Sequence, residues 1–392
     1  FFLARPGYAR SLARSGAEVK VYQGGQTYRY RAGHDRSGNV WNVCNVEVTP
    51  GGAVVEKIDT YEGTQAQAMG LYAKRTMGGR EQWIGEYGGS AVSEESVNAG
   101  LAWLARHQDD DGSWSHRCLG SESPDSKCET DAPCTGPGKT YEAAHTGLSV
   151  LAFQAGGHYY FNENPYSEVV RSGLDWMVEH QRPDGGLVGS AAPGGKARFH
   201  KHFLYEHGIA TFALAEACAV AAAMDQPTHE RYMEAARKAV DFIQEMQYDD
   251  GGWRYWDDPT RAGDTSVTGW QVLALKTAKE AGIPVSEQCL AKIRKYFASR
   301  ATGENGRTGY DNRHPATEAT TGVGMLAQQF LLGQPDGPLV RDAADFLADY
   351  AEAHWSEREA EGQDRDFYLW YNCTLGMFQA GGWDHGNRGQ RS

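Results

Sequence analysis

The sequence predicts a mainly α protein, an α/α toroid of five or six helical hairpins with a small N-terminal β region. Three observations carry this. From residue 93 onward, two classes of helical segment alternate strictly. One class is amphipathic with charged faces, and the other is apolar or small on every side, so the first belongs at the surface and the second in an interior. Three of the amphipathic segments also end in the same kind of Gln-to-Gly turn. Finally, the chain has 48 glycines in 392 residues, where average usage of about 7% gives roughly 27. With no collagen period, they mark many tight turns.

The elements follow in order. Residues 1–61 read as a β region, with strand-like runs at 18–22, 26–31, 40–49 and 53–59. Gly24-Gly25 and Gly51-Gly52 supply turns. Residues 62–92 read as a connector, with a helix expected at 62–76. The toroid is expected over 93–383 and a flexible tail over 384–392. Its surface helices are expected at 96–108, 168–181, 232–247, 285–299 and 339–354, with Ser93 capping the first. Its interior helices are expected at 141–155, 205–223, 265–281, 317–332 and 367–380.

Charge and cysteine content narrow the function. A formal net charge of −13 repels phosphate backbones, so nucleic acid is excluded as a partner. No apolar run reaches the 18 residues of a membrane-spanning helix. The chain begins at Phe1 rather than Met. A removed leader or a fragment is expected, with a secreted, periplasmic or cell-surface location. Of the seven cysteines, Cys218, Cys289 and Cys373 fall in helical patterns and read as small buried apolar residues. Cys118, Cys128 and Cys134 crowd one stretch. They can hold a disulfide, remain thiols, or bind zinc with His116. No cofactor is expected.

The turns are Gln108-Asp-Asp-Asp-Gly112-Ser-Trp114, Gln181-Arg-Pro-Asp-Gly185-Gly-Leu187 and Gln247-Tyr-Asp-Asp-Gly251-Gly-Trp253. A Gln can bond backbone groups at a helix end, Gly makes the turn, and Trp packs over the junction. This pattern resembles the glutamine–tryptophan repeat of squalene-hopene cyclases and of the wider terpenoid cyclase and protein prenyltransferase superfamily, over roughly residues 93–383. The stretch from Gly251 through Tyr255 to Asp264 and Trp270 is more similar to uncharacterised bacterial prenyltransferase and squalene oxidase repeat proteins. The resemblance implies the toroid. The Asp-x-Asp-Asp acid of such cyclases is matched only by Asp264-Thr265 of Arg261-Ala-Gly-Asp264-Thr265. The Asp-x-Cys zinc ligands of prenyltransferases and the Cys-Gly-Glu-Gln thioester motif are absent.

Each interior helix instead opens on polar and aromatic residues. Glu206, His207 and Asp264 are the candidate acid and base groups. Tyr141, Glu142, His145, Tyr205, Trp253, Tyr255, Glu318, Tyr368, Trp370 and Tyr371 are the candidate ligand-binding groups. The acids also suit simple helix capping. The leading expectation is a ligand-binding or scaffold protein, taking a small molecule or glycan at a central mouth and self-associating through the β region into an oligomer. Alternatives are a lyase or hydrolase acting on a polar polymer such as a polysaccharide, and a divergent terpenoid cyclase.

Overall fold

The computed structural model describes residues 90–115, 141–189, 202–256, 261–302, 306–331, 338–361 and 366–380, with four short strands at 19–23, 26–30, 46–48 and 54–56. The chain divides into two compact units. The first holds α1 (Ala91–Arg106), α2 (Glu142–Ala155), α3 (Ser167–Glu179), α4 (Phe203–Ala223), α5 (Glu230–Glu245), α6 (Thr265–Glu280) and α7 (Glu287–Arg300), with residues 310–314. The second holds α8 (Glu318–Leu331), α9 (Pro338–Glu361), α10 (Phe367–Ala380) and the strands. Both are built from the layered helical hairpins of a toroid-like α fold, as expected.

In the first unit the interior helices α2, α4 and α6 pack in a row, with α4 in the middle. Helix α4 is apolar or small almost throughout, and every residue but Tyr205 and Ala222 is buried. Helix α5 shows the opposite pattern. It buries one stripe, from Tyr232 through Ala235, Ala236, Ala239 and Val240 to Ile243, and leaves its charged face to solvent. In the second unit α8 packs on both α9 and α10. Helix α1 begins a turn earlier than expected. Ser90, not Ser93, is its cap, and the two serines close a reciprocal capping box.

The three turns do what their sequence implies. Gln108 Nε2 donates to Gly112 O and, across to the next surface helix, to Val169 O. Gln181 bridges Gly185 O and Ala235 O, and Gln247 bridges Gly251 O and Cys289 O. Gly112, Gly185 and Gly251 have φ of 92°, 90° and 93°. A Cβ at Gly251 would lie 2.0 Å from Lys292 O, so only glycine fits. Trp114 and Trp253 close the clamps by donating their indole N–H to Leu104 O and Ile243 O.

A fourth copy was not legible. Gly306, at φ 61°, sits under Leu339 O as its counterparts sit under theirs. The residue two beyond each turn glycine then donates its N–H to one side chain on an interior helix. The acceptors are Thr146, His207, Thr268 and Thr321.

The described strands form separate two-stranded antiparallel pairs: β1 (Val19–Gln23) with β2 (Gln26–Tyr30), β3 (Val46–Val48) with β4 (Val54–Glu56), and β5 (Ala301–Thr302) with β6 (Arg307–Thr308). The expected helix at 62–76 and the tail at 384–392 lie outside the described residues. Among the described residues no helix is long and apolar enough to cross a membrane.

Candidate functional site

Because α2, α4 and α6 pack in a row, their N-terminal ends gather a group of rings. Tyr141 and His202 are the cap residues of α2 and α4. The Tyr141 hydroxyl meets His202 Nδ1 at 2.7 Å. Tyr255, four residues beyond the Gly251 turn, lies edge-on to the His202 ring at 5.2 Å and stacks on Tyr205 at 5.9 Å. Its carbonyl accepts from Leu204 N–H, which ties this loop to the start of α4. Trp270 lies edge-on beyond Tyr205, at 6.2 Å. Tyr141, His202, Tyr205, Tyr255 and Trp256 are all half-buried, so the group forms a rim rather than a core.

Carboxylates lie among these rings. Glu142 and Glu206 are buried. Glu206 Oε2 accepts from the N–H groups of Ala143 and Gly189 at 3.2 and 3.3 Å. A Cβ built on Gly189 would fall 2.4 Å from Glu142 Oε2 and 3.2 Å from Glu206 Oε2. The missing side chain at Gly189 thus leaves room for both carboxylate ends beside it. It stands four residues beyond Gly185, the position that Tyr255 and Tyr310 hold after Gly251 and Gly306.

Asp264 is wholly buried at the start of α6. Its Oδ1 accepts from Ser266 N–H, Val267 N–H and the Ser266 hydroxyl. The Tyr310 hydroxyl approaches the same carboxyl. Burial raises the Asp264 pKa above the usual carboxylate range despite these donors. Burial and the Asp264 and Tyr255 side chains together raise that of Tyr310. Asp311 behaves oppositely. Its side chain is buried, yet the Arg313 N–H and the His314 ring and N–H outweigh burial and hold its pKa at about 2. Arg254 lies 3.8 Å from Asp311 and donates to Ala262 O.

The structure thus brings together six expected residues: Tyr141, Glu142, Tyr205, Glu206, Tyr255 and Asp264. His145 sits one turn inside α2, half-buried, its N–H bonded to Tyr141 O. Two expectations need correction. His207 has no exposure, accepts from Leu187 N–H through Nδ1 and reaches Ala239 O through Nε2. Both nitrogens serve the fold, and burial pushes its pKa down to about 4. Trp253 is also fully buried as a clamp residue and cannot line a mouth. In the second unit, Glu318 opens α8, and Tyr368, Trp370 and Tyr371 lie on α10, where Cys373 Sγ reaches Glu318 O.

His202, Tyr310, Arg254 and Asp311 were missed. The repeat register, four residues beyond a turn glycine, is the signal that finds Tyr310. Cys118, Cys128 and Cys134 lie outside the described residues. Cys218 and Cys289 are free and buried, as expected, whereas Cys373 is free but half-buried; burial raises their pKa values to about 12, 11 and 12. Among the described residues no group of three or more His, Cys, Asp or Glu could hold a metal ion.

A family model described as pectic acid lyase matches residues 208–268, from early α4 to the first turn of α6. No curated protein matches the chain. Among solved structures, a protein from Actinoplanes is 17% identical, with TM-score 0.41 over 74% of this chain and 84% of its own. A type II terpene cyclase from Scytonema, with geranylgeranyl dihydroxybenzoate bound as substrate, is 17% identical, with TM-score 0.41 over 67% of this chain and 64% of its own.

Proposed function

We propose that the first unit binds a polar polysaccharide at the ring-lined starts of α2, α4 and α6 and cleaves it by elimination. The 2.7 Å contact between the Tyr141 hydroxyl and His202 Nδ1 carries the reading. A phenol bonded to an imidazole can take a proton from carbon while passing its own to the ring nitrogen, which is general-base chemistry at moderate pH. The half-buried faces of Tyr205 and Tyr255 offer apolar platforms to sugar rings. The match to a pectic acid lyase family covers residues 208–268, which include Tyr255 and Asp264 but not Tyr141 or His202, and it favours an acidic glycan and elimination over hydrolysis.

The test is incubation of the whole chain with polygalacturonate and with a neutral β-glucan. Unsaturated uronate ends and total reducing ends are followed separately. Both rise on polygalacturonate, and Tyr141→Phe lowers kcat by about 100-fold or more. Reducing ends without unsaturation indicate a hydrolase. Binding without cleavage returns the chain to the ligand-binding class. Neither binding nor cleavage on any glycan removes the proposal.

A further inference from the structure

Tyr141 and His202 supply a base, but elimination also needs a proton for the departing oxygen. We propose that Tyr255 is the proton donor to the leaving group and that Tyr310 and Asp264 are positioning residues that resupply its proton. This rests on the elimination reading above.

The geometry is continuous. The Tyr310 hydroxyl donates to Tyr255 Oη at 3.2 Å. With that lone pair occupied, the Tyr255 proton is directed away from Tyr310. Tyr255 and Tyr141 both lie edge-on to the His202 ring, at 5.2 and 5.5 Å, so the two phenols neighbour the same imidazole. On its other side the Tyr310 hydroxyl lies near the wholly buried Asp264 carboxyl, whose Oδ2 makes no hydrogen bond and so has room for the proton. The backbone fixes this end, because Thr265 N–H donates to Tyr310 O at 2.9 Å.

Asp264 suits both ends of the transfer. Burial favours its neutral form. Once ionised, it is held by the Ser266 and Val267 N–H groups, the Ser266 hydroxyl and the positive end of α6. The other titratable groups around the relay are Tyr296, hydrogen-bonded to Thr265, and His314, whose ring lies edge-on to Tyr310. Arg300 lies over Tyr296 and pairs with Asp250 at 2.8 Å, and Asp311, next to Tyr310 in sequence, lies 3.8 Å from Arg254.

The protons balance. Tyr141 takes the proton from the carbon next to the uronate carboxyl and passes its own to His202. The electron pair forms the C=C bond and the C–O bond breaks. Tyr255 gives its proton to the leaving oxygen, Tyr310 replaces it, and Asp264 replaces that of Tyr310. The enzyme ends with protonated His202 and ionised Asp264, and exchange with water restores both.

Two measurements test this. The first compares uronides that differ only in the leaving group at O4, methoxide against 4-nitrophenolate. Nitrophenolate needs no proton. Tyr255→Phe and Tyr310→Phe therefore lower kcat about 100-fold on the methoxide substrate, with KM unchanged, and less than about threefold on the nitrophenolate. Asp264→Asn, which keeps the helix cap but has no acidic proton, behaves like Tyr310→Phe, whereas Tyr141→Phe lowers both substrates. Equal losses on both substrates for Tyr255→Phe or Tyr310→Phe overturn the assignment. The second is independent of turnover. Infrared difference spectra of the whole chain against Asp264→Asn contain a protonated carboxyl band at the working pH, and the band shifts in Tyr310→Phe. Absence of the band overturns the relay even if the chain is a lyase. A band in a chain that cleaves nothing removes Tyr255 as donor together with the elimination reading, while the Asp264–Tyr310 contact stands.

Discussion

At the scale of single residues, His207 carries the sharpest consequence. It fills a place that threonine fills at 146, 268 and 321, accepting one backbone N–H beyond a turn. Unlike threonine it titrates. Burial lowers its pKa from 6.5 to about 4 in the folded chain. The neutral form is therefore the folded form, and its stability is fully present above pH 6.5. As pH falls below that value the unfolded chain binds a proton that the folded chain refuses. The loss grows by ~1.4 kcal/mol per pH unit until the folded pKa is reached, roughly 3 kcal/mol in all. His207→Thr keeps the acceptor and removes the titration. The variant should be less stable by about 1–3 kcal/mol at pH 7.5, since Ala239 O loses its partner and a cavity opens. The difference from wild type should then shrink or reverse toward pH 4.5. Urea unfolding at several pH values measures it, and parallel curves would exclude His207 as the titrating group.

At the scale of elements, the clamps show why part of the fold was readable. Gln108, Gln181 and Gln247 each satisfy two carbonyls, one in their own turn and one on the following surface helix. That demand is local, so residue type and spacing reveal it. The fourth turn uses Gly306 without the flanking Gln and Trp, and its likeness lies in the close approach to Leu339 O and the Thr308 N–H bond to Thr321, neither of which a motif spells out. Trp253 was misread for a related reason. An aromatic residue two places beyond a turn glycine looks the same in sequence whether it faces a mouth or plugs a junction, and here the Ile243 carbonyl decides.

The clamps predict a ranking. Gly251→Ala combines φ of 93° with a 2.0 Å clash against Lys292 O and should cost more than about 3 kcal/mol. Gln247→Ala loses two hydrogen bonds and should cost about 1–3 kcal/mol. Gly282→Ala, with φ of 75° but nothing within 4 Å, should cost only about 1 kcal/mol. Urea midpoints of the three variants give the order, and a Gly282 effect equal to that of Gly251 would show that φ alone, not the close approach, sets the cost.

At the scale of the molecule, the candidate site was half legible for a physical reason. Tyr141, Glu142, Tyr205, Glu206 and Asp264 belong to helix starts, and the alternation of apolar and amphipathic segments already brought interior helix starts together. His202 is also a helix cap and Tyr310 keeps the repeat register, but their contacts with Tyr141 and Tyr255 exist only because α2, α4 and α6 stand in a row, which no short-range pattern encodes. The same packing sets a gradient of stability through the first unit. Helix α4 has a neighbour on each side and buries 19 of its 21 residues. Helix α1 buries only Leu101, and Val92, Val97 and Trp103 remain exposed. Local opening follows the number of buried contacts that must be broken. In hydrogen–deuterium exchange the amides of α4 should therefore be the slowest in the unit, exchanging near the rate of global unfolding. Those of α1 should exchange at least about 100-fold faster, since a difference of ~3 kcal/mol in opening free energy gives that ratio. Comparable protection of the two helices would mean that a partner covers α1 in solution, with its exposed Val92 and Val97 as the contact.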